Sequence, residues 1–483
     1  MITKIKKLWL WELLFILTLI RIAVAHVMPL SPDEAYYWLW SKQLSYSYYD
    51  HPPMVALWIK LGCWLGGHSS LGVRLLGPIA AFFGSILLYF SAKDFNPSYS
   101  GRISAANNSV LIFNATLAIN AGSVTMTPDT PLLFFTCFSL WSCGRLLVTK
   151  RPFYYGLIGL GFGLSLVSKY TAILFILAFC LWCLVDKEGR IQLKKIPLWG
   201  AGAFTCLLFS PVVWWNAHHQ WVSFAKQGGR TGEWNPHRAF QFLAELIAGQ
   251  FGLATPLLFI GFVVGAVKLG QYVFKTRDSK AVLLFLLAMV PLVIFIQHAL
   301  GDRVQANWLG ILYPPFALIA ALYGQYKIRS GVALGLIISA FVYAQASWGV
   351  FPLPAKFDVT LRQLGGWQEF AEQLNNRVPT SDVLMVEEYG LASELRFYLP
   401  QRTIVAIDHR WRYFEYPKSV IHRGYLIRSQ KRKDSPTPQR FSSFAPLNTL
   451  QRKRKDQVAG TYSLYKVMLQ NDKQTQTETV RLP

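Results

Sequence analysis

Apolar runs long enough to cross a bilayer recur through the first 350 residues of the chain. A helix needs about 20 apolar residues to cross the hydrocarbon core, and it satisfies its own backbone hydrogen bonds there. The runs predict eleven spans, near residues 8–27, 72–92, 103–121, 132–148, 153–167, 170–185, 196–214, 253–274, 282–297, 309–323 and 332–350. The pattern therefore predicts an all-α polytopic membrane protein with about 11 or more transmembrane helices.

Lys and Arg gather on alternate connections between these spans. Basic connections include "TKIKK" before the first span, "DKEGRIQLKK" and "KTRDSK", whereas the opposite connections are richer in Asp, His, Trp and Asn. Positive charge accumulates on the cytosolic side of membrane proteins. An odd number of spans then predicts that the C-terminal segment lies on the outer, periplasmic face. The first run has a basic start and no small-residue cleavage site, so we expect an uncleaved helix.

The pattern changes after residue 350. "GWQEFAEQLNNRV" and "GLASELRFYL" have the periodicity of helices, whereas "DVLMVEE" and "RTIVAID" have that of strands. The sequence thus predicts a transmembrane catalytic domain over 1–350, with a first periplasmic loop at about 31–70. It also predicts a small periplasmic α/β domain over 351–483, whose basic end, with "SQKRKDSPTPQRF" and "QRKRKDQ", is expected to be partly flexible.

The composition changes this picture little. Of 483 residues, 53% are hydrophobic and 15% are charged, against about 25% charged in soluble proteins. The net charge of +23 is explained by cytosolic loops and anionic lipid headgroups, so a nucleic-acid partner is not expected. The six cysteines all lie in or beside apolar runs, where they pack as small apolar residues rather than forming disulfides or a metal site.

The first loop, "SPDEAYYWLWSKQLSYSYYDHPP", places acids and aromatic residues directly after a predicted span. Ser31 and Pro32 suit the capped start of a helix. Asp33 and Glu34 are therefore either capping residues or general bases, and a base is what transfer of a sugar from a lipid phosphate to a hydroxyl needs. The Tyr and Trp residues predict an interfacial helix with its rings in the headgroup layer, or rings that stack on a sugar.

Two further acids lie on the predicted outer face. Asp50 and His51 precede a Pro-Pro pair that keeps this loop out of a helix. They would bind a phosphate or a metal, or form a plain turn. Asp129, in "MTPDTPLLFF", stands at the entrance of a span between two prolines. Acids at membrane depth usually face the interior of a bundle and mark a functional site, so Asp129 is a catalytic candidate that would share the outer face with Asp33.

The cations on this face suit a phosphate. Lys169, in "LVSKYTAIL", lies between two apolar runs with almost no loop around it, and it either snorkels to the interface or points at a phosphate leaving group. Arg230 and Arg303 would serve the same end, because charge grows on a departing phosphate and fixed cations stabilise it. The remaining substrate-binding candidates, in loops able to hold a sugar or a headgroup, are His218, His219 and Asn307.

Taken in order, "SPDEAYYWLWSKQLSYSYYDHPPMVALW", "TPDTPLLFF", "SKYTAIL", "SPVVWWNAHHQWVSFAKQGGR" and "QANW" resemble the bacterial GT-C glycosyltransferases, both ArnT-like and protein O-mannosyltransferase-like (families 39 and 83). The resemblance implies a GT-C fold and a polyprenyl-phosphate-linked sugar donor. It implies that Asp33, with Glu34 beside it, is the catalytic acid of the first loop. It also equates Asp129 with the acid of the second outer loop and Lys169 with a lysine after the fifth span.

One position departs from the ArnT-like pattern, because His51 stands where those proteins have a lysine before the Pro-Pro pair. This departure argues against aminoarabinose as the transferred sugar, or against the phosphate contact that the lysine makes in ArnT-like proteins. Some relatives hold a divalent metal in the cleft, and the metal ligands of this chain stay open.

The sequence as a whole predicts an inverting glycosyltransferase of a bacterial inner membrane. We expect a monomer that takes a polyprenyl-phosphate sugar and modifies lipid A or lipopolysaccharide core at the periplasmic face. A protein O-glycosyltransferase is the alternative with the same chemistry. A transporter or flippase for a lipid-linked sugar is the alternative from another class, although it would not need an acid-bearing first loop or an outer domain. A non-catalytic membrane scaffold is a third.

Overall fold

The computed structural model describes residues 9–97, 101–228, 234–417, 421–432, 436, 440–470 and 479–483. The chain divides into two compact units. The membrane unit comprises Met1–Ala23, Asp50–Trp58 and Arg74–Phe341, and the sheet unit comprises Val24–Tyr49, Ile59–Val73 and Val342–Pro483. Most of the first loop thus groups with the C-terminal residues, whereas the sequence had assigned it to the transmembrane domain.

Helices of membrane length dominate the described part of the chain. Eight segments there are long and apolar enough to cross a bilayer, and a ninth is added if Tyr170–Val185 and Lys187–Leu193, bent by 101°, count as one span. The eight are Trp9–Val27, Ser70–Phe95, Asp129–Thr149, Ile196–His218, Pro256–Thr276, Ser279–Ala299, Ala306–Gly324 and Ile328–Trp348. The chain is an integral membrane protein, as predicted.

Two of the eleven predicted spans are helical but shorter than expected. The run 153–167 forms the 16-residue helix Phe153–Ser168. The run 103–121 divides into Arg102–Ala115 and Leu117–Val124 at Thr116, whose backbone is extended and whose side chain accepts a hydrogen bond from Ile119 N–H. The count of eleven therefore exceeds what length and composition support, because one apolar run contains a built-in break.

The break at Thr116 is held by a buried arginine of the first helix. Arg21, 1% exposed, donates from Nη1 to Asn114 Oδ1 at 2.9 Å and from Nη2 to Asn120 Oδ1 at 3.0 Å. Asn120 Nδ2 in turn donates to the carbonyls of Asn114 and Thr116 at 2.8 and 3.0 Å. Lipid offers no hydrogen bonds to such carbonyls, so these side chains are what makes the interruption tolerable.

Two helices occur where the sequence predicted loops. Pro236–Ala254 precedes the span Pro256–Thr276 and buries residues at regular i, i+4 spacing, among them Phe242, Leu246 and Gln250. Met54–Gly66 lies within the first loop. Pro236–Ala254 was not predicted because polar residues interrupt its apolar ones, so it contains no continuous apolar run of membrane length.

The sheet unit contains a six-stranded sheet of order β4-β5-β3-β1-β2-β6. The strands are β1 Leu384–Val386, β2 Ile404–Ile407, β3 Arg423–Ser429, β4 Phe441–Arg454, β5 Gln457–Leu469 and β6 Thr479–Arg481. β1 runs parallel to β2 and β3, and the other pairs are antiparallel. Helices Trp367–Arg377 and Tyr389–Tyr398, with β1 and β2, are the four elements predicted here.

The basic run 451–457 forms strand ends and a turn, whereas the sequence predicted a partly flexible segment there. It closes the hairpin between β4 and β5. Arg454 Nη2 donates to buried Asp358 Oδ2 at 2.6 Å, and the Arg452 guanidinium lies 3.9 Å from the centre of the Trp367 ring. Ion pairing and stacking therefore fix side chains that resemble a solvated charge run in the sequence. The run 429–441 lies partly outside the described residues.

We expect Arg21→Leu to lower the melting temperature of the purified protein in detergent. The change leaves buried Asn114 and Asn120 oxygens without their donors, at a cost of about 1–3 kcal/mol for an unsatisfied buried group. Thermal unfolding followed by intrinsic fluorescence measures it, with Ile20→Leu, at an exposed position of the same helix, as the control. Equal melting temperatures for the two variants would contradict a structural role for Arg21.

Candidate active site

Three of the predicted residues meet in the membrane unit, where Asp129 and Lys169 are buried and Asn307 is exposed. Lys169 Nζ lies 2.6 Å from Asp129 Oδ1, and Asn307 Nδ2 donates to Asp129 Oδ2 at 3.0 Å. Asp129 is 8% exposed and Lys169 is 5% exposed. Both carboxylate oxygens thus accept a hydrogen bond, one from a cation and one from an amide.

Each member of this cluster occupies the end or an interruption of a helix. Asp129 is the first residue of Asp129–Thr149, where the helix dipole stabilises a negative charge. Lys169 is extended, with φ −157° and ψ 139°, between Phe153–Ser168 and the short 3-10 turn that follows. Asn307 lies in the 3-10 segment Ala306–Leu312. The irregular backbone of these three segments therefore coincides with the polar side chains of the cluster.

A second acid–cation pair lies in the same unit. Asp50 Oδ1 accepts from Lys226 Nζ, and the Asp50 carbonyl accepts from Gln227 Nε2 at 2.9 Å. Lys226 and Gln227 are carried by the helix Val222–Gly228. Lys226 was not among the residues predicted from the sequence, because its partner is 176 positions away in the chain. Its one signal was its place in the same outer connection as Arg230.

His51 connects the two pairs electrostatically. The pKa of His51 is lowered to about 4, mainly by burial of its ring and also by the positive charges of Lys169 and Lys226, while Asp50 and Asp129 act in the opposite direction. Because all four charges act on this imidazole, both ion pairs share one neighbourhood with it. At neutral pH the ring is uncharged, so His51 is a neutral imidazole beside the two ion pairs.

In the sheet unit, the two acids of the first loop have different environments. Glu34 is fully buried, and its Oε2 accepts from both Ser31 N–H and Ser31 Oγ at 3.0 Å, while Ser31 Oγ accepts from Glu34 N–H. This is a capping box at the start of the helix Pro32–Lys42. Asp33 is exposed, and its Oδ1 accepts from the Tyr389 hydroxyl at 2.9 Å.

The aromatic residues of Pro32–Lys42 are buried within the sheet unit, which corrects the prediction of rings in a headgroup layer. Tyr36, Trp38 and Trp40 are 1%, 6% and 0% exposed. The Tyr36 ring contacts Tyr389 at 4.8 Å and the Trp38 ring contacts Phe397 at 5.1 Å between centroids. These rings pack the helix Pro32–Lys42, which we call the loop helix, against the C-terminal residues.

The other predicted residues make separate contacts. Arg303 forms an exposed ion pair with Glu245, with 2.6 Å between Nε and Oε2. His218 and His219 bond through Nδ1 to the carbonyls four residues earlier, at 2.8 and 2.7 Å, at the end of the helix Ile196–His218. Arg230 lies outside the described residues. Within the described ranges, no group of three His, Cys, Asp or Glu residues is arranged to hold a metal ion.

An apolar cavity of about 300 Å³ lies beside the Asn307 segment in the membrane unit. Its wall includes Leu309 and Leu312 of that segment, and its one amide group belongs to Gln250, which bonds to Ala306 O at 2.8 Å and to the Tyr313 hydroxyl at 3.0 Å. Its rim includes apolar side chains that are 40–57% exposed, namely Ile247, Val263, Val267 and Ile296. The cavity is therefore accessible from the apolar surface of the helices.

Comparisons with known proteins relate this arrangement to glycosyltransferases. Residues 50–215 match the family model described as dolichyl-phosphate-mannose-protein mannosyltransferase. A lipid A galacturonosyltransferase, RgtD of Rhizobium johnstonii, is 26% identical over 332 residues. The match covers 67% of this chain and 66% of RgtD, just under two thirds of that relative.

Solved structures of ArnT from Cupriavidus metallidurans share the fold. The form bound to undecaprenyl phosphate superposes with a TM-score of 0.63 at 13% identity, covering 95% of this chain and 98% of that one. The apo form gives 0.62 at 12% identity, covering 96% and 98%. The predicted GT-C fold and the predicted resemblance to ArnT-like glycosyltransferases are confirmed, and the expected enzyme class agrees with all of these matches.

We expect His51 to make the protein less stable in mild acid. Its folded pKa of about 4 lies below the ordinary 6.5, so the unfolded chain binds the extra proton more readily and stability falls as pH drops through this window. The loss of melting temperature between about pH 7 and pH 5 should therefore be smaller in His51→Gln than in wild type. An identical loss in both proteins would contradict a neutral, buried His51.

Proposed function

We propose that this chain, which has the fold of the ArnT-like GT-C glycosyltransferases, is an inverting transferase. It moves a sugar from a polyprenyl-phosphate donor to lipid A or lipopolysaccharide core at the periplasmic face of a bacterial inner membrane. The observation that carries the proposal is the buried Asp129–Lys169 ion pair, to which Asn307 is hydrogen-bonded, with His51 and the Asp50–Lys226 pair near it. Such a group suits a phosphate-bearing substrate delivered from the lipid.

The names of the matched proteins support the choice of donor and acceptor. The similar ArnT structure is bound to undecaprenyl phosphate, which is a polyprenyl phosphate. RgtD is named for galacturonosyl transfer to lipid A. We therefore take a polyprenyl-phosphate-linked uronic acid as the first donor to test, in keeping with His51 in place of the ArnT-like lysine.

Asp33 is the proposed general base. It takes the proton of the acceptor hydroxyl while that oxygen attacks the anomeric carbon, and the bond from that carbon to the phosphate oxygen breaks. Glu34 is the weaker candidate, because its carboxylate is buried in the capping box. Asp33 is exposed at the start of the same helix, as a group that receives a proton from a substrate must be.

Lys169 is the proposed phosphate partner. An ammonium has three N–H donors, and the ion pair with Asp129 uses one of them. Asp129 then has a supporting role: it offsets the cost of burying the lysine and fixes the direction of the ammonium, while Asn307 fixes Asp129. A cation held in advance stabilises the charge that develops on the leaving phosphate.

The apolar cavity beside Asn307 is the proposed site for the first isoprene units of the donor. Its wall is almost entirely hydrocarbon, and it opens among exposed apolar side chains. A lipid chain can enter there from the bilayer without crossing polar surface.

A second candidate function is transfer to a protein hydroxyl. The family model that matches residues 50–215 is described as a protein mannosyltransferase, and the base and leaving-group chemistry would be the same. The two candidate functions differ only in the acceptor, so lipid A and a peptide acceptor should be compared in the same assay.

The first test is sugar transfer by the purified protein in liposomes, supplied with a polyprenyl-phosphate sugar and either lipid A or a Ser/Thr-containing peptide. We expect transfer to lipid A. Asp33→Asn should fold normally and lose roughly 10²- to 10⁴-fold in rate, the usual effect of a general base, because Asn caps a helix about as well as Asp.

The control for this test is Glu369→Gln, at an exposed acid of Trp367–Arg377, which should keep full activity. Lys169→Met should also lose activity, and excess donor should rescue it in part, since part of the loss is donor binding. If the Asp33→Asn variant keeps more than about a tenth of wild-type turnover, Asp33 is not the general base. If the protein transfers sugar from a nucleotide sugar without a lipid carrier, the proposed donor is wrong.

A second test concerns the isoprenoid cavity. Ala266→Trp places a large ring among the lining residues, so we expect a higher KM for a long-chain donor and an unchanged KM for a donor with a single short prenyl unit. Val293→Trp, at an apolar position 61% exposed and outside this lining, is the matched control. If KM changes equally for the long and the short donor, the lipid chain does not bind in this cavity.

A further inference from the structure

We propose that Tyr389, from the C-terminal part of the chain, is the positioning residue for the catalytic carboxylate of Asp33. The inference rests on the proposed function, since it takes Asp33 to be the base. It extends that function by giving the C-terminal residues a part in catalysis, whereas the sequence assigned catalysis to residues 1–350. All residues that carry the inference belong to the sheet unit.

The central contact is the hydrogen bond from the Tyr389 hydroxyl to Asp33 Oδ1, at 2.9 Å. Tyr389 begins the helix Tyr389–Tyr398, which lies against the start of the loop helix. A Cβ on the next residue, Gly390, would come within 2.8 Å of Pro32 Cβ. The absence of a side chain at Gly390 therefore permits the close approach that brings the phenol within reach of Asp33.

Tyr389 is itself held from two sides. The Tyr36 ring meets it edge to face, with centroids 4.8 Å apart, and the Arg410 guanidinium lies 4.1 Å from its ring centre. Arg410 belongs to the 3-10 turn His409–Tyr413, which Asp408 caps by accepting from Arg410 N–H at 2.8 Å. A cation over the ring both fixes the phenol and draws electron density from it, so the hydroxyl becomes a stronger donor.

This contact affects the base in two ways. It selects one orientation of the Asp33 side chain, whose exposed carboxylate accepts the proton of the incoming hydroxyl. It also favours the ionised form of Asp33, because a hydrogen bond to a carboxylate stabilises the charge. During transfer the proton goes from the acceptor hydroxyl to Asp33, and Tyr389 keeps its own proton throughout.

The test is Tyr389→Phe, which deletes the hydroxyl and keeps the ring against Tyr36 and Arg410. We expect kcat to fall roughly three- to tenfold with little change in KM, as for loss of one hydrogen bond. The acidic limb of the pH–rate profile should move to higher pH by on the order of half a unit or more, because Asp33 then holds its proton more tightly.

The matched control is Tyr416→Phe. The Tyr416 hydroxyl donates to the carbonyl of Leu39 at 2.7 Å, so this variant also removes a hydrogen bond between C-terminal residues and the loop helix, at a point remote from Asp33. If Tyr389 acts merely by holding the helix in place, both variants should lose the same stability and activity, and neither should shift the pH profile.

The outcomes separate this inference from the proposed function. An inactive Asp33→Asn together with a Tyr389→Phe variant that keeps the wild-type kcat and pH profile would overturn the inference and leave the base assignment intact. An active Asp33→Asn would overturn the base assignment itself. A shifted acidic limb in Tyr389→Phe, but not in Tyr416→Phe, supports the positioning role.

Discussion

The ion pair between Lys169 and Asp129 is the interaction on which the membrane unit depends most. An ammonium without a partner in this environment would cost several kcal/mol, and a lysine at 5% exposure is tolerable because a carboxylate lies 2.6 Å away. To supply that carboxylate, the start of Asp129–Thr149 must meet the end of Phe153–Ser168. Asn307, by bonding to the other carboxylate oxygen, adds a third segment from far along the chain.

The same constraint explains where the helices are interrupted. Lipid cannot satisfy an open backbone group, so each break needs polar side chains of its own. At Thr116 they come from Asn120 and buried Arg21. At Lys169 the backbone is partly satisfied locally, since Lys169 N–H donates to Ser165 O and its carbonyl accepts from Ala172 N–H. The breaks that look like defects in an apolar pattern are thus the places where polar chemistry is gathered.

The sequence predicted what depends on local pattern and missed what depends on distant partners. The apolar runs predicted the membrane helices. Asp129 and Lys169, which lie at the ends of such runs, were recognised as candidates because a charged residue within a membrane segment is costly. Tyr389 carried no such signal, since its partner Asp33 is 356 positions away.

Two differences from the sequence prediction have the same origin. The basic run 451–457 was expected to be partly flexible, and in the structure Arg454 reaches the buried carboxylate of Asp358. The rings of the loop helix were expected in the headgroup layer, yet Tyr36 meets Tyr389 inside the sheet unit. In each case the side chains had the character of solvated or interfacial residues, and a surface supplied by remote parts of the chain determined where they lie.

The helix start at Ser31 separates two neighbouring acids that the sequence could not tell apart. With Ser31 as the cap, Glu34 is the third helical residue, whose side chain reaches back to the cap N–H in a capping box, as it does here. Asp33, the second helical residue, is therefore excluded from the cap and accepts from Tyr389 instead. The capping rule at the start of this helix thus gives Glu34 a structural role and leaves Asp33 as the candidate for chemistry. Moving the cap by one residue would take Glu34 out of the third helical position and so out of the capping box. The register of this short helix, fixed by Ser31 and Pro32, is therefore itself a determinant of the proposed active site.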